Sequence, residues 1–192
     1  MNKLLCIGDS ITAGWPYGTA YAYSEYLKTD HTVVNRGVPG EASRDILRRF
    51  ERELISSGAD TVLIMAGTND AMSPNGSVET ALQCMQQMIR TARERNVLPV
   101  VLTCMIPDQQ GVPAWFDDHE RVRKFLEQYD QMLTEYCRNE QICLISTHTL
   151  TPGYTDGVHP DKEGYRILGE YISREFRNLL SLQQNRPEDL TI

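Results

Sequence analysis

This sequence predicts a three-layer α/β fold with a central parallel sheet of about five strands, and three observations carry that prediction. Five short aliphatic runs are spread along the chain, longer amphipathic stretches separate them, and Gly, Asp, Ser and Asn crowd the segments that follow several of the runs. Strands alternating with helices build a parallel sheet covered on both faces, and burial on both faces calls for strands that are apolar almost throughout.

The first run is Leu4-Leu5-Cys6-Ile7 and the second Thr32-Val33-Val34-Asn35. After Ser43, the residues Ile46, Leu47, Phe50 and Leu54 recur at helical spacing. The third run, Thr61 to Met65, precedes an apolar stripe of Val78, Leu82, Met85, Ile89 and Ala92. Those steps of four, three, four and three residues predict a helix from about Ser77 to Asn96, with Ser77 as its N-cap. The fourth run is Val100 to Thr103, and Val122, Phe125, Leu126, Tyr129, Met132, Leu133 and Tyr136 then mark a helix opening near Asp117. The fifth run is Ile142 to Ile145, and Tyr165, Leu168, Ile172, Phe176 and Leu179 mark the last helix. Helical spacing alone accounts for the Met and aromatic residues on these stripes, which read as core.

The chain of 192 residues suits a single domain, expected over residues 1–182, with a polar tail over 183–192. No repeat and no Pro/Gly/Ser-rich linker divides it. With 41% hydrophobic and 23% charged residues, and only 13 Gly and 9 Pro, fibrous and disordered classes are excluded. Nineteen Lys and Arg against 26 Asp and Glu leave a net charge of −7, which argues against nucleic acid and anionic lipid as partners. No apolar stretch approaches the ~18 residues of a membrane span, and the first run is shorter than the ~7–15-residue core of a signal peptide, so a cytoplasmic location is expected.

The five cysteines are odd in number and lack CxxC spacing, which favours reduced thiols over disulfides or a zinc site. Cys6, Cys104 and Cys143 lie in apolar runs and read as small hydrophobes. Asp117-Asp118-His119-Glu120 reads as the acidic first turn of a helix, and His31 and His148 as ordinary histidines. Gly8 to Gly14 lacks the Lys of a phosphate-binding loop. Neither metal nor cofactor is expected.

In a parallel α/β sheet, ligands bind beyond the carboxyl ends of the strands, so the residues following each run come under inspection first. Gly8-Asp9-Ser10-Ile11 follows the first run, and Gly37-Val38-Pro39-Gly40-Glu41-Ala42-Ser43 the second. Ala66-Gly67-Thr68-Asn69-Asp70 follows the third, and Asp156-Gly157-Val158-His159-Pro160 comes after the fifth. Together they hold the parts of acyl transfer: a hydroxyl nucleophile, a base, a carboxylate to orient it, and donors for an oxyanion. Taken alone, Gly8-Asp9-Ser10 could equally be a helix-capping turn, and Asn69-Asp70 could cap the next segment. One sheet edge offering all the complementary parts favours the catalytic reading.

These four segments resemble the four motif blocks of the SGNH or GDSL hydrolases, in the family's order and over nearly the whole chain. Gly8-Asp9-Ser10-Ile11 is similar to the first block, with Ile11 in place of the usual Leu, a change confined to local packing. Gly40-Glu41-Ala42-Ser43 resembles the second block better than Gly37 does, Gly67-Thr68-Asn69-Asp70 the third, and Asp156 to Pro160 the last. No G-x-S-x-G nucleophile elbow is present. The resemblance implies a flavodoxin-like arrangement of the sheet and a metal-independent serine esterase working through an acyl-enzyme. It implies Ser10 as nucleophile, His159 as base and then acid, and Asp156 as the group orienting the imidazole. The oxyanion donors it implies are the backbone N–H groups of Ser10 and Gly40 and the amide of Asn69.

Substrate is expected to be a small-molecule ester, and the absence of a lid-sized insertion leans toward a short acyl group such as acetyl. Trp15 and Tyr17, just past Ser10, and Trp115 are candidates for lining its pocket. Three other readings are kept: a lysophospholipase or thioesterase of the same family, an acyltransferase using an alcohol in place of water, and a non-enzymatic flavodoxin-like binding domain. Oligomeric state is not readable from the sequence.

Overall fold

The computed structural model describes residues 2–108 and 119–184. Five parallel strands run β1 (Lys3–Gly8), β2 (Thr32–Gly37), β3 (Thr61–Met65), β4 (Leu98–Leu102) and β5 (Cys143–Ile145). Their spatial order is β2-β1-β3-β4-β5, the doubly wound order whose chain direction switches between β1 and β3. Helices α1 (Ser10–Ala13), α2 (Ser43–Ser57), α3 (Thr68–Met72), α4 (Val78–Glu94), α5 (His119–Asn139) and α6 (Lys162–Gln184) connect or follow them, with a 3-10 helix at Tyr23–Leu27.

Alternation along the strands separates two cores. Leu5, Ile7, Val62, Ile64 and Val101 point to the face covered by α2, α4 and α5. Leu4, Cys6, Leu63, Met65, Val100 and Leu102 point to the face covered by α6 and the 3-10 helix. Every residue of β3 is buried, as expected for a strand near the middle of a sheet clad on both sides. Edge strands β2 and β5 are only half-buried. Burial pushes the Cys6 and Cys104 thiols up to about 12, which keeps them protonated and apolar in character.

The expected elements stand with small shifts. Helix α4 begins at Val78 with Ser77 as its cap, the Ser77 hydroxyl accepting from the Thr80 N–H at 3.3 Å. Strand β4 starts two residues earlier than the run Val100–Thr103 suggested and takes in Pro99. Helix α6 continues to Gln184, two residues past the boundary expected at Leu182. The expected opening of α5 near Asp117 falls outside the described residues, and α5 is described from His119.

Strand ends decide where the site lies. The pairing aligns Gly8 of β1 with Gly37 of β2 and with Met65 of β3, then Met65 with Leu102 and Leu102 with Ile145. All five strands therefore end at one level, and their loops open onto a common edge. The fit is tight at Gly37, where an added Cβ would stand 2.2 Å from the backbone N of Ala13 and 2.6 Å from the carbonyl carbon of Thr12. Backbone atoms of α1 cannot step aside as a side chain could, so Gly37→Ala is expected to cost about 1–3 kcal/mol or more. Thermal unfolding of the variant checks this, and an unchanged Tm would contradict the contact.

Candidate active site

Ser10 opens α1, directly after the buried Asp9, whose carboxylate accepts from the Ile11 N–H at 2.9 Å and caps the helix. From the opposite end of the sequence, His159 brings its Nε2 to 2.8 Å from the Ser10 Oγ. The His159 Nδ1 lies 2.8 Å from Oδ2 of Asp156. An ionised carboxylate can only accept, so Nδ1 carries the proton and the Nε2 lone pair faces the hydroxyl.

Asp156 is itself held, because its Oδ1 accepts the backbone N–H groups of Val158 at 3.1 Å and His159 at 2.8 Å. Partial burial works against its ionisation. The backbone and imidazole hydrogen bonds from His159 and the Val158 N–H outweigh that and hold the carboxyl below its ordinary range. Asp156 is thus a fixed anion beside the imidazole, suited to stabilise a positive charge there.

Gly40 has φ +82°, the left-handed region that favours glycine, and its N–H makes no hydrogen bond among the described residues. The backbone N–H of Ser10 is likewise unbonded among them. Gly37, the other candidate of that loop, has its N–H taken by the Asn35 side-chain oxygen at 2.9 Å. Asn69 lies in the first turn of α3 and donates from Nδ2 to the Glu41 carbonyl at 2.9 Å. The same nitrogen is 3.5 Å from Asp9 Oδ2, at the outer limit of a hydrogen bond. Asn69 therefore sits between the loop that carries Gly40 and the turn that carries Ser10. An amide nitrogen has two hydrogens; Glu41 engages one, and the other is held only by the long contact to Asp9, which a ligand oxygen would replace.

Asp70 does not cap its own helix. It reaches across to the start of α2, accepting from the Ser43 N–H at 2.8 Å and the Ser43 Oγ at 2.7 Å. A shared burial couples it to Asp9, whose carboxyl is pushed up to about 7 by burial, with the Asp70 charge adding to the rise and the Ile11 N–H opposing it.

Of the candidate pocket residues, Trp15 lies with its ring centroid 4.3 Å from that of His159, tilted by 54°, and remains 41% exposed. Tyr17 shares a 2.8 Å hydrogen bond with the Thr155 hydroxyl, next to Asp156. Trp115 lies outside the described residues. Sequence reasoning did not single out Thr155, Glu41 or Arg49; the last two form an ion pair beneath the Gly40 loop. The only available signal was position, Glu41 inside the second motif block, Thr155 beside the last and Arg49 six residues past the second, which says nothing of side-chain direction. Among the described residues no three His, Cys, Asp or Glu side chains are grouped as a metal site requires, and no helix is long and apolar enough to cross a membrane.

The arrangement provides an activated hydroxyl, a base backed by an anion, and unbonded N–H groups on neighbouring loops, which is the equipment of acyl transfer. Comparisons with known proteins point the same way. The sequence signature of the GDSL-like lipase/acylhydrolase family matches residues 6–167. An acetylxylan esterase of Geobacillus stearothermophilus is 27% identical over 208 residues, covering 91% of this chain and 93% of that protein. Among solved structures, a lipase/acylhydrolase from Enterococcus faecalis is 25% identical with a TM-score of 0.76, covering 99% of this chain and 100% of its own. A member of the lipolytic G-D-S-L family from Veillonella parvula shares the fold with a TM-score of 0.78 at 18% identity, over 91% of this chain and 98% of that one.

The raised Asp9 pKa has a stability consequence with a definite sign. Folded Asp9 holds its proton up to about pH 7, whereas in the unfolded chain it ionises near 3.8. The unfolded state is therefore favoured progressively as pH rises from about 4 to about 7, and the effect is flat above that. Relative to Asp9→Asn, wild type is expected to lose stability across this window in urea titrations. A difference that stays constant from pH 4 to 7 would show that Asp9 ionises normally.

Proposed function

As a member of the GDSL-like lipase/acylhydrolase family, to which the chain belongs by its match over residues 6–167, this protein is a hydrolase of ester bonds, and we propose that Ser10, His159 and Asp156 carry the reaction as a catalytic triad. One observation carries the proposal: His159 touches the Ser10 hydroxyl through one ring nitrogen and the Asp156 carboxylate through the other, both at 2.8 Å.

In this mechanism the Ser10 Oγ attacks the acyl carbonyl as His159 Nε2 takes its proton, and Asp156 stabilises the imidazolium that results. Charge developing on the carbonyl oxygen is met by the N–H groups of Ser10 and Gly40 and by the Asn69 amide. Collapse of the tetrahedral adduct breaks the ester C–O bond, and His159 returns the proton to the departing alcohol. Water, deprotonated by the same imidazole, then cleaves the acyl-enzyme and regenerates Ser10.

The substrate we propose is a short-chain ester, an acetyl ester of a carbohydrate in particular. The acetylxylan esterase relative supports this choice, and so does Trp15, whose indole stands beside His159 with exposed surface on which a sugar ring can stack. Residues 1–182 form one catalytic domain in this reading, its last helix running on to Gln184 before the polar tail. We place the enzyme in a reducing cytoplasm, a placement supported by five cysteines of which none forms a disulfide.

Ser10→Ala is expected to abolish turnover of p-nitrophenyl acetate and labelling by a fluorophosphonate. Substantial residual hydrolysis would overturn the nucleophile assignment. Asn69→Ala is expected to remain folded and to lose ~10²–10³ in kcat, the usual cost of one oxyanion donor. Wild type is expected to prefer p-nitrophenyl acetate to the octanoate and to release acetate from acetylated xylooligosaccharides; a marked preference for octanoate would refute the short acyl pocket.

A further inference from the structure

Two charged side chains beneath the site are largely withdrawn from water and take no part in the chemistry proposed above. The Arg49 side chain, on α2, is 11% exposed, and that of Glu41, next to Gly40, is 20% exposed. Arg49 donates from Nε to Glu41 Oε2 at 2.7 Å, and its Nη2 lies 2.7 Å from the same oxygen. Nη2 also donates to the Gly8 carbonyl at 3.2 Å, where the Val38 N–H arrives as well, at 3.0 Å.

Neither side chain touches an oxyanion donor, but each end of the pair is anchored to a segment that carries one or two of them. Gly8 is the last residue of β1, two positions before Ser10. Glu41 is bonded covalently to Gly40, and its carbonyl takes the Asn69 amide at 2.9 Å. Gly40 has little else to hold it. A Cβ built there would meet nothing within 4 Å, and the adjoining turn is closed by a long contact, Glu41 N–H to the Val38 carbonyl at 3.4 Å. A glycine with free space around it keeps its backbone freedom unless a neighbour is anchored.

We propose that the Glu41–Arg49 ion pair positions the oxyanion hole, setting the Ser10, Gly40 and Asn69 donors relative to one another without touching the substrate. The inference rests on the reading of those donors under Proposed function. Its physical basis is that electrostatic stabilisation of a transition state depends on donors placed beforehand, and a misplacement of about 1 Å can cost on the order of 10²-fold in rate. A partly buried guanidinium supplies that placement, because Nε and Nη2 grip Glu41 together while Nη2 also reaches Gly8, and the compact ammonium of Lys lacks the planar two-nitrogen grip.

The test compares Glu41→Gln, Arg49→Met and Arg49→Lys with wild type and Ser10→Ala, on p-nitrophenyl acetate at a temperature well below every Tm. Glu41→Gln and Arg49→Met are expected to lose roughly 10- to 100-fold in kcat with KM within about twofold, and Arg49→Lys to recover only part of that loss. Affinity for an aryl boronic acid, which forms a tetrahedral adduct on the serine, is expected to fall by the same factor as kcat. The Glu41→Gln/Arg49→Met double variant should lose little more than either single one, because both break one unit.

Glu41→Gln preserves volume and one acceptor, so it keeps the test decisive if Arg49→Met does not fold. Wild-type kcat in a folded Glu41→Gln would overturn the inference. So would a kcat loss with unchanged boronic acid affinity, which marks a merely structural pair. Activity surviving in Ser10→Ala would instead overturn the underlying reading of the site.

Discussion

The level at which the parallel strands stop governs the rest of the molecule. Because Gly8, Gly37 and Met65 are partners in the ladder, the chain leaves β1, β2 and β3 side by side, and three loops far apart in sequence become neighbours. A shift of one residue in either pairing would move a loop by about 3.3 Å and turn each side chain to the opposite face. Gly8 and Gly37 oppose such a slip, since a Cβ brought into either place would stand 2.5 Å from the Met65 carbonyl oxygen or 2.2 Å from the Ala13 nitrogen.

On that edge, three carboxyl groups show how environment assigns different work to one functional group. Asp156 is partly exposed, receives three hydrogen bonds and stays ionised beside His159. Asp70 is buried but doubly bonded by Ser43, joining the start of α2 to α3. Asp9 is buried, with the Ile11 N–H its one short side-chain contact and a like charge nearby, and its proton is held far more tightly than in water. Only the first of these faces the imidazole. The other two shape the frame in which Ser10, Gly40 and Asn69 sit, so the site's rigidity is built from polar groups just behind it.

Much of the fold was legible because buried strands must be apolar and amphipathic helices must repeat. Val78 to Ala92 shows that repeat over several turns, and the helix is found there. Short elements escaped notice: α1 and α3, of four and five residues, are too brief for a stripe to repeat. Pro99 hid the true start of β4, since proline argues against a strand. It is tolerated because β5 pairs only from Val100 onward, so the N–H that Pro99 lacks has no ladder partner to miss. At the site, Gly37 and Gly40 could not be ranked by chemistry alone. Packing separates them, as Gly37 is pressed against α1 with its N–H occupied while Gly40 stands open.

By itself the sequence determined which chemical groups were present and on which strand ends they fell, because hydrophobic period and motif order are properties of the chain. Tertiary structure alone decided distance and direction: that a ring 149 residues away meets the Ser10 hydroxyl, that Asp70 turns to α2, and that Arg49 reaches both Gly8 and Glu41. The physical reason is that such contacts depend on side-chain rotamers and loop paths, which are selected by the packed surroundings and leave no periodic trace in the order of residues.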